Sequence, residues 1–337
     1  MPDAGHLAVV LEPATVGAYL VSRGLISAGA EVAVTPLDGG VSCSVFAVES
    51  PAGSWVVKQA LEQLRVAQVW LADPRRAGAE AEALRICSSL TPTATPTPVD
   101  ADEDNHTLTM TRAPADWQNW KLQLLAGDVR PEVGALLGSV LATWHNGTTD
   151  RAGLHPRFLD LASFEELRIS PFHRAIQDRH PEVHDQVEAV IERMLIERRC
   201  LVHGDFSPKN ILVGGAQVWV LDFEVAHYGD PTFDLAFLLA HLCLKSAHLP
   251  ELAAELWTCA AAFLDAYRNE VRPELLLPAE HLLGQVACLL LARVDGKSPA
   301  GYLSPAGQQV VRALGLSMLS GIVPTLEAAF VTAGSQS

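Results

Sequence analysis

The sequence has no long apolar run and few cationic side chains for its length. No apolar stretch approaches the roughly 18 residues that a membrane helix requires, and residues 1–6 lack the basic segment that opens a secretory signal. The net charge of −15 disfavours nucleic acid and anionic membranes as partners. These absences predict a cytoplasmic protein that binds neither nucleic acid nor membrane.

The cysteine pattern argues against a fold stabilised by disulfides and against one stabilised by zinc. Six cysteines are scattered along the chain without a Cys-x-x-Cys pair, so neither a disulfide framework nor a zinc site is indicated. The sequence predicts buried free thiols. A chain of 337 residues with 49% hydrophobic residues can bury a sizeable core.

The first third of the chain has the pattern of a small sheet with helices. A helix is predicted over residues 12–29 from its apolar spacing and over residues 73–90 from its richness in alanine, glutamate and arginine. Short β-rich runs separated by glycine-containing turns predict an antiparallel sheet; they cover residues 32–37, 44–49, 54–58 and 108–110. Residues 91–98 are rich in proline and threonine and predict a connector.

The remainder of the chain is predominantly helical. Helices are predicted over residues 133–145, 187–195, 232–244, 252–267, 279–292 and 310–320. The predicted fold class is therefore α+β. The last predicted strand of the first region ends shortly before residues 112–115, which predicts two domains, 1–112 and 113–337.

One short segment of the second region has the spacing of phosphoryl-transfer chemistry. Asn210 lies five residues after Asp205, and Asp222 lies seventeen residues after Asp205. In protein kinases an aspartate and an asparagine five residues apart share the catalytic loop, and a metal-binding aspartate follows on the next hairpin. Loop capping by polar residues is the alternative explanation, but the flanking apolar runs favour catalysis.

The residue before Asp205 is Gly204, where protein kinases have an arginine. With this glycine the segment resembles the aminoglycoside phosphotransferase and choline kinase-like families, which phosphorylate small molecules. The resemblance covers residues 32–244 and implies a bilobal protein-kinase-like fold that uses ATP and Mg²⁺. It implies that Asp205 positions the acceptor hydroxyl and that Asn210 and Asp222 bind Mg²⁺. No Ala-Pro-Glu activation segment follows, which disfavours a protein kinase.

Lys58 ends a short apolar run that resembles the lysine strand of kinases. A solvated strand edge is the alternative position for such a lysine. The resemblance implies that Lys58 contacts the ATP phosphates and pairs with a glutamate of the next helix. Glu80 and Glu82 both qualify but face different sides of that helix. In related kinases the pairing acid lies four residues before the leucine of this helix, and counting back from Leu84 in this way favours Glu80.

A glycine-containing turn precedes the lysine strand and consists of Gly39, Gly40, Val41 and Ser42. Paired glycines let backbone N–H groups approach phosphate oxygens closely. A plain hairpin turn has the same composition. The position upstream of Lys58 implies, on the kinase resemblance, a phosphate-binding turn.

Four further residues receive nucleotide or metal roles only through the resemblance. The hinge backbone at Thr109, Met110 and Arg112 is expected to hold adenine. Glu224 completes an Asp-Phe-Glu sequence similar to that of choline kinase-like proteins. Its expected role is either metal contact or support of the loop.

The acceptor site is less well indicated. Arg293 and Asp295 interrupt an apolar helix and are candidate acceptor ligands, although a helix end followed by Gly296 would also place them there. The segment 164–174, which includes Arg168, is a further candidate.

Residues 57–66, 228–234 and 291–296 are similar to methylthioribose kinases, which characteristically lack an asparagine at the place of Asn210. The predicted function is transfer of the γ-phosphoryl group of ATP to a hydroxyl of a small molecule by a monomer or homodimer. The alternatives are a methylthioribose-like sugar kinase and a nucleotide-binding protein without transferase activity.

Overall fold

A computed structural model describes residues 10–37, 42–65, 71–149 and 156–335. Its chain contacts divide it into two compact units, Met1–Ala115 and Asp116–Ser337. The first unit combines an antiparallel sheet with helices, and the second is mostly helical. The predicted α+β class is therefore confirmed.

The first unit is built on a five-stranded antiparallel sheet in the order β1-β2-β3-β5-β4. Its elements in chain order are α1 (Pro13–Ser22), β1 (Ala33–Pro36), β2 (Cys43–Ser50), β3 (Gly53–Ala60), α2 (Arg76–Leu90), β4 (Pro98–Asp102) and β5 (Thr107–Thr111). The strand β3 pairs with β2 on one side and β5 on the other. Lys58, which lies on β3, therefore has a paired strand on each side.

The core of the first unit joins α1 to one face of the sheet. Val16 and Leu20 of α1 are buried in one apolar cluster with Val48 of β2 and Val57 of β3. These β-branched and leucine side chains fit a helix packed on a pleated surface. Burying each one stabilises the unit by about 1.5–3 kcal/mol relative to leaving it exposed.

Two predictions for the first unit were wrong in part. The helix predicted over residues 12–29 ends at Ser22, because Gly24 adopts a positive φ of 71° and its N–H donates to the carbonyl of Val21. The strand β4 was missed because the proline-rich segment that leads into it resembles a connector. Pro98 begins this edge strand, where the lack of an N–H donor is tolerated.

The second unit begins with β6 (Gln118–Asn119) and the short helix α3 (Trp120–Leu125). It continues with α4 (Pro131–Thr148), α5 (Ala162–Phe164), a π-helix (Glu165–Arg174), α6 (Ala175–Arg179) and α7 (His184–Ile196). Four short strands follow, β7 (Cys200–Val202), β8 (Ile211–Gly214), β9 (Gln217–Val220) and β10 (His227–Gly229). The last part contains α8 (Thr232–His248), α9 (Ala253–Glu270), α10 (Ala279–Asp295), α11 (Pro305–Leu319) and α12 (Leu326–Gly334). All six helices predicted from the apolar spacing of this region are confirmed, within a few residues at each end.

The helix α8 forms the centre of the second unit and packs against α9, α10 and α12. Of its residues only His241 and His248 retain partial exposure. Two small antiparallel sheets, β6-β8-β9 and β7-β10, complete the unit. The loops between β7 and β8 and after β9 leave these sheets and carry the predicted catalytic residues.

No helix in the described parts of the chain is long and apolar enough to cross a membrane. All six cysteines are buried and free, as the sequence predicted. Burial raises the pKa of the Cys243, Cys259 and Cys288 thiols to about 12. These thiols therefore remain protonated and contribute as small apolar groups.

Candidate active site

Lys58 and Glu80 form a buried ion pair in the first unit. Lys58 Nζ lies 2.8 Å from Glu80 Oε1, and the two residues are only 8% and 3% exposed. The strand β3 holds the lysine at the centre of the sheet, and α2 holds the glutamate. Glu82, the other candidate acid, is partly exposed and pairs with Arg85 at 3.0 Å. Of the two acids, Glu80 is the one that meets the lysine.

The glycine-containing turn is only partly described. Gly39, Gly40 and Val41 lie outside the described residues. Ser42 is half-buried, and its carbonyl accepts a 2.6 Å hydrogen bond from Arg76 Nη2.

The predicted hinge residues belong to β5 and the chain just after it. Thr109 and Met110 are buried in β5, which pairs with β3 and β4. Arg112 lies one residue beyond β5. Its N–H donates to the carbonyl of Ser54 at 3.2 Å, and its guanidinium donates to Glu49 at 2.6 Å.

In the second unit, hydrogen bonds to Asp234 hold the start of the loop that follows β7. Its carboxylate accepts hydrogen bonds from the backbone N–H of His203 at 2.7 Å and of Gly204 at 2.9 Å. Asp234 is fully buried, which opposes ionisation. The hydrogen bond from His145 and the nearby His203 nevertheless hold the pKa of Asp234 below its ordinary value. An ionised carboxylate is therefore built into the base of the loop.

Gly204 turns the chain between His203 and Asp205 in a left-handed conformation with φ of 77°. A Cβ at this position would lie 2.7 Å from the carbonyl oxygen of Val225. Both the backbone angle and the close approach therefore require glycine. This accounts physically for a glycine before the aspartate.

The Asp205 carboxylate is buried and contacts two cations. Arg168 Nη2 lies 3.0 Å and Lys209 Nζ 2.9 Å from its Oδ2 atom, and Ser207 Oγ lies 3.4 Å from its Oδ1 atom. Burial opposes ionisation of Asp205, but Lys209 and Arg168 hold its pKa below the ordinary value. The group is therefore a carboxylate at neutral pH, able to accept a hydrogen bond from a hydroxyl.

Asn210 and Asp222 are brought together by the hairpin of β8 and β9. The N–H of Leu221 donates to the Asn210 carbonyl at 2.8 Å, which places Asp222 beside Asn210. Asn210 Nδ2 donates to the Asp205 carbonyl at 3.1 Å, so its side-chain oxygen is the end left to accept from a ligand. Asp222 has a positive φ of 71°, an unusual conformation for this residue type. Its negative charge raises the pKa of Asp205, as expected of neighbouring acids.

The residues after Asp222 are buried. The Phe223 ring packs against His203, with 4.5 Å between ring centroids, and against Trp144 at 5.4 Å. The His203 ring donates from Nε2 to the Leu221 carbonyl and accepts from the Asp205 N–H at Nδ1. It thereby links the loops that carry Asp205 and Asp222. Glu224 is 7% exposed.

Arg168 is a component of this site whose contact with Asp205 the sequence did not reveal. It lies in the π-helix Glu165–Arg174, and besides its ion pair with Asp205 its Nε donates to the Gly204 carbonyl at 2.7 Å. Its guanidinium also faces the rings of Phe172 and Phe237 at 5.7 and 5.4 Å. The segment 164–174 was a candidate for acceptor binding, and the structure brings Arg168 of this segment to the catalytic loop.

The two candidate acceptor residues of α10 have different surroundings. Asp295 is buried and accepts from Arg312 at 2.7 Å, and one of its oxygens lies 2.8 Å from His180 Nε2. Arg293 Nη1 donates to Ser298 Oγ at 2.8 Å, and its Nε is buried without a hydrogen-bond partner among the described residues. Asp205 raises the pKa of Arg293, although burial lowers it overall. Arg293 therefore interacts electrostatically with Asp205 and keeps one buried donor unused among the described residues, whereas the carboxylate of Asp295 is taken up by internal partners.

The family model described as "Phosphotransferase enzyme family" matches residues 33–275. A methylthioribose kinase of Pectobacterium atrosepticum is 26% identical over 242 residues, which are 62% of this chain and 59% of that protein. The match therefore spans about three fifths of the length of this curated relative.

Solved kinases share the fold at low sequence identity. The amicoumacin kinase hAmiN, in complex with AMP-PNP, Ca²⁺ and Ami, has a TM-score of 0.59 and 15% identity, covering 90% of this chain and 93% of its own. Choline kinase LicA of Streptococcus pneumoniae has a TM-score of 0.55 and 12% identity, with coverage of 91% and 98%. A choline/ethanolamine kinase family protein of Mesorhizobium loti has a TM-score of 0.54 and 15% identity, with coverage of 96% and 100%. These similarities show the protein-kinase-like fold.

Proposed function

The chain belongs to the phosphotransferase enzyme family, and we propose that it transfers the γ-phosphoryl group of ATP to a hydroxyl group of a small molecule. One observation carries the proposal. The ionised Asp205, the amide of Asn210 and the carboxylate of Asp222 lie on two loops that the 2.8 Å Leu221–Asn210 backbone hydrogen bond joins. Two carboxylates and an amide in this order are the groups that kinase chemistry requires.

We assign nucleotide binding to residues 1–112 and catalysis with acceptor binding to residues 113–337. Lys58, which Glu80 holds at 2.8 Å, would contact the ATP phosphates together with the turn of Gly39, Gly40, Val41 and Ser42. The backbone at Thr109, Met110 and Arg112 would hold adenine. The buried pair supports this assignment because a lysine fixed by a carboxylate is pre-organised to meet phosphate oxygens.

Asp205 would orient the acceptor hydroxyl and take its proton late in the reaction. The acceptor oxygen forms a bond to the γ-phosphorus while the bond from that phosphorus to the oxygen of the ADP leaving group breaks. The hydroxyl proton passes to an Asp205 oxygen and from there to solvent. Because the pKa of Asp205 is low, its main contribution is orientation in a loose transition state.

Asn210 and Asp222 would hold Mg²⁺. Their oxygens are the hard ligands that this ion prefers, and the hydrogen bond from Asn210 Nδ2 to the Asp205 carbonyl leaves the amide oxygen as the ligand. In the described residues no three His, Cys, Asp or Glu side chains form a metal cluster. A site with few protein ligands suits Mg²⁺, which keeps waters and takes phosphate oxygens as its remaining ligands. When bound, Mg²⁺ would neutralise charge on the phosphates.

Glu224 has two possible roles at this site, contact with the metal or support of the loop. A Glu224→Gln variant distinguishes them through its dependence on Mg²⁺. An increase in the Mg²⁺ concentration needed for half-maximal activity supports metal contact, whereas a lower thermal stability with unchanged Mg²⁺ dependence supports the loop role.

A methylthioribose-like sugar is the second candidate for the acceptor. The 26% identity with a methylthioribose kinase favours it. Asn210 is a departure from that group of kinases, so we keep this sugar as one member of a wider set of acceptors.

The test is ATP consumption by the purified protein with Mg²⁺ across sugars, amino alcohols, hydroxy acids and aminoglycosides. Asp205→Ala serves as the inactive blank, and Asp265→Asn, an exposed substitution of the same residue type, serves as the control. We expect acceptor-dependent turnover that Asp205→Ala abolishes without weakening the binding of ATP. Full activity in Asp205→Asn would overturn the role of Asp205. Tight binding of Mg·ATP without turnover of any acceptor would favour a nucleotide-binding protein without transferase activity.

A further inference from the structure

Basic side chains are concentrated beside Asp205, although the chain as a whole carries a net charge of −15. The chain has five lysines, and three of them belong to one group, the basic cluster, which consists of Lys121, Lys209, His241, Lys245 and Arg293. The cluster combines α3, the catalytic loop, α8 and α10. Clustering of positive side chains in an otherwise acidic protein creates a local positive potential, which attracts anions.

Contacts and mutual electrostatic effects both link the members of the cluster. Lys245 Nζ donates to the carbonyl of His241 at 3.2 Å, one turn earlier on α8. Asn119 Nδ2, next to α3, donates to the carbonyl of Lys209 at 2.6 Å. Burial, and then the charges of Arg293 and Lys209, lower the pKa of Lys121. Burial and all four other members lower the pKa of His241 well below its ordinary value.

Lys245 is the most unusual member because it is fully buried and has no carboxylate partner in the part of the chain that the structure describes. Among the described residues, its ammonium group contacts the His241 carbonyl at 3.2 Å and the face of the Tyr302 ring, 5.5 Å from the ring centroid. Burial and the charges of Lys121 and Arg293 lower the pKa of Lys245 to about 7. A buried cation that lacks an anion destabilises a fold. A lysine inside an apolar helix therefore indicates a binding role that offsets this cost.

Arg293 and Tyr302 present unsatisfied hydrogen-bond donors at the same place. The Arg293 Nε and the Tyr302 hydroxyl are buried and have no partner within the described parts of the chain. Buried polar atoms are nearly always paired in a folded protein. An anion accepts hydrogen bonds from both kinds of donor and also compensates the charge of Lys245.

The cluster lies next to the group that receives the acceptor in the proposed reaction. Lys209 Nζ lies 2.9 Å from Asp205 Oδ2, and among the described residues this is the only ion pair between a cluster member and a carboxylate. Burial lowers the pKa of Arg293, and the negative charge of Asp205 acts against that shift. A molecule whose hydroxyl meets Asp205 would therefore have its other substituents near the basic cluster.

We propose that the basic cluster binds an anionic substituent of the acceptor, so that the substrate is a hydroxylated small molecule that carries a carboxylate or phosphate group. This inference rests on the proposed phosphotransferase function. Polycationic aminoglycosides and quaternary amino alcohols are poor acceptors on this view, because Lys245 and Arg293 would repel their charge. The transferred phosphoryl group or the nucleotide is a second source of anionic oxygens, and the experiments below separate the two.

The first experiment compares matched acceptors with the unmodified enzyme. The pairs are 5-methylthioribose with ribose 5-phosphate and glycerol with glycerate, and choline is the cationic comparison. We expect kcat/KM for the anionic member of at least one pair to exceed that of its neutral partner by about 10-fold or more, the usual strength of a hydrogen bond to a charged group. Turnover in which every neutral or cationic acceptor equals or exceeds its anionic partner would overturn the inference and leave the phosphotransferase function intact.

The second experiment removes the buried charge. Lys245→Met is close in shape to lysine, and Lys297→Met is the matched control because Lys297 is the exposed lysine outside the cluster. We expect Lys245→Met to reduce the preference for the anionic acceptor about 10-fold with an unchanged KM for ATP, and Lys297→Met to have no effect. An unchanged preference in folded Lys245→Met would contradict the assignment.

The third experiment identifies the source of the anion by calorimetric titration of inorganic phosphate with and without saturating Mg·AMP-PNP. We expect phosphate to bind in both cases and to bind more weakly to Lys245→Met. Loss of phosphate binding on addition of Mg·AMP-PNP, with weaker AMP-PNP binding by Lys245→Met, would show that the cluster serves the nucleotide and would overturn the inference. If no acceptor is turned over, the proposed function fails, and absence of phosphate binding would then reject the basic cluster separately.

Discussion

The guanidinium of Arg168 lies 3.0 Å from the Asp205 carboxylate and also donates to the carbonyl of Gly204 at 2.7 Å. One side chain thus holds the catalytic loop by its backbone and its acid at the same time. Asp205 is consequently constrained in two ways, in position and in charge. Lys209, the other cation at Asp205, is half exposed and is less constrained.

We predict that Arg168→Met lowers kcat about 10- to 100-fold, as expected for the loss of a hydrogen bond between charged groups. Arg168 acts through Asp205 as a positioning residue, so a pH profile distinguishes this role from a general loss of structure. Arg168 lowers the pKa of Asp205, and its removal therefore raises that pKa and moves the acidic limb of the kcat profile to higher pH. Arg168→Lys, which keeps the charge, should return part of the rate and shift the limb back. An unshifted limb in Arg168→Met would contradict the prediction.

The second prediction concerns Gly204, whose φ of 77° and close approach to Val225 leave no room for a side chain. Gly204→Ala should reduce the free energy of unfolding by about 2–4 kcal/mol, because left-handed strain of about 1–2 kcal/mol is added to a steric overlap. Gly215→Ala is the matched control. Gly215 also has a positive φ, of 57°, but a Cβ there meets no atom within 4 Å. Urea unfolding should show a loss of only about 1 kcal/mol for the control; equal losses in the two variants would show that the contact with Val225 is unimportant.

The third prediction concerns Asp234, the buried carboxylate below the catalytic loop. Its pKa is lowered in the folded protein, so its contribution to stability is fully present above the ordinary pKa of about 3.9 and is lost as the pH falls through the folded value. Asp234→Asn should lower the free energy of unfolding at pH 7 by about 3 kcal/mol. The difference from the wild type should shrink as the pH falls below about 4. Unfolding by urea at several pH values measures this, with Asp265→Asn as the exposed control, and a difference independent of pH would argue against an ionised Asp234.

The catalytic loop could be predicted from the sequence because its geometry is local. Asp205, Asn210 and Asp222 lie in two successive turns around β8 and β9, so their spacing in the chain determines their proximity once the hairpin forms. The pairing of Lys58 with one particular glutamate was also accessible, since β3 and α2 are consecutive large elements. Helical periodicity allows only one of Glu80 and Glu82 to face the lysine, and the resemblance to related kinases selects Glu80.

Other parts of the site depend on packing between distant segments. Arg168 reaches Asp205 from a π-helix, whose bonding pattern leaves no clear signal in the sequence. Lys245 ends an apolar run and resembles a solvated residue at a helix end, yet α8 continues to His248 and buries it. The short strand β6 was missed for a similar reason, because it exists only through its pairing with β8.

The last prediction separates the two glutamates of α2, which lie two residues apart on one helix and differ in their contacts. Glu80→Gln removes the charge that holds Lys58, so the lysine loses its fixed position and kcat/KM for ATP should fall about 10- to 100-fold. Glu82→Gln makes the same chemical change at a residue that pairs only with the exposed Arg85 among the contacts described, and surface pairs contribute about 0–1 kcal/mol. Its activity should equal that of the wild type. Steady-state kinetics with ATP as the varied substrate checks both variants, and circular dichroism confirms that α2 is retained. A larger defect in Glu82→Gln than in Glu80→Gln would transfer the lysine-pairing role to Glu82, because the two substitutions differ only in which side of the helix they change.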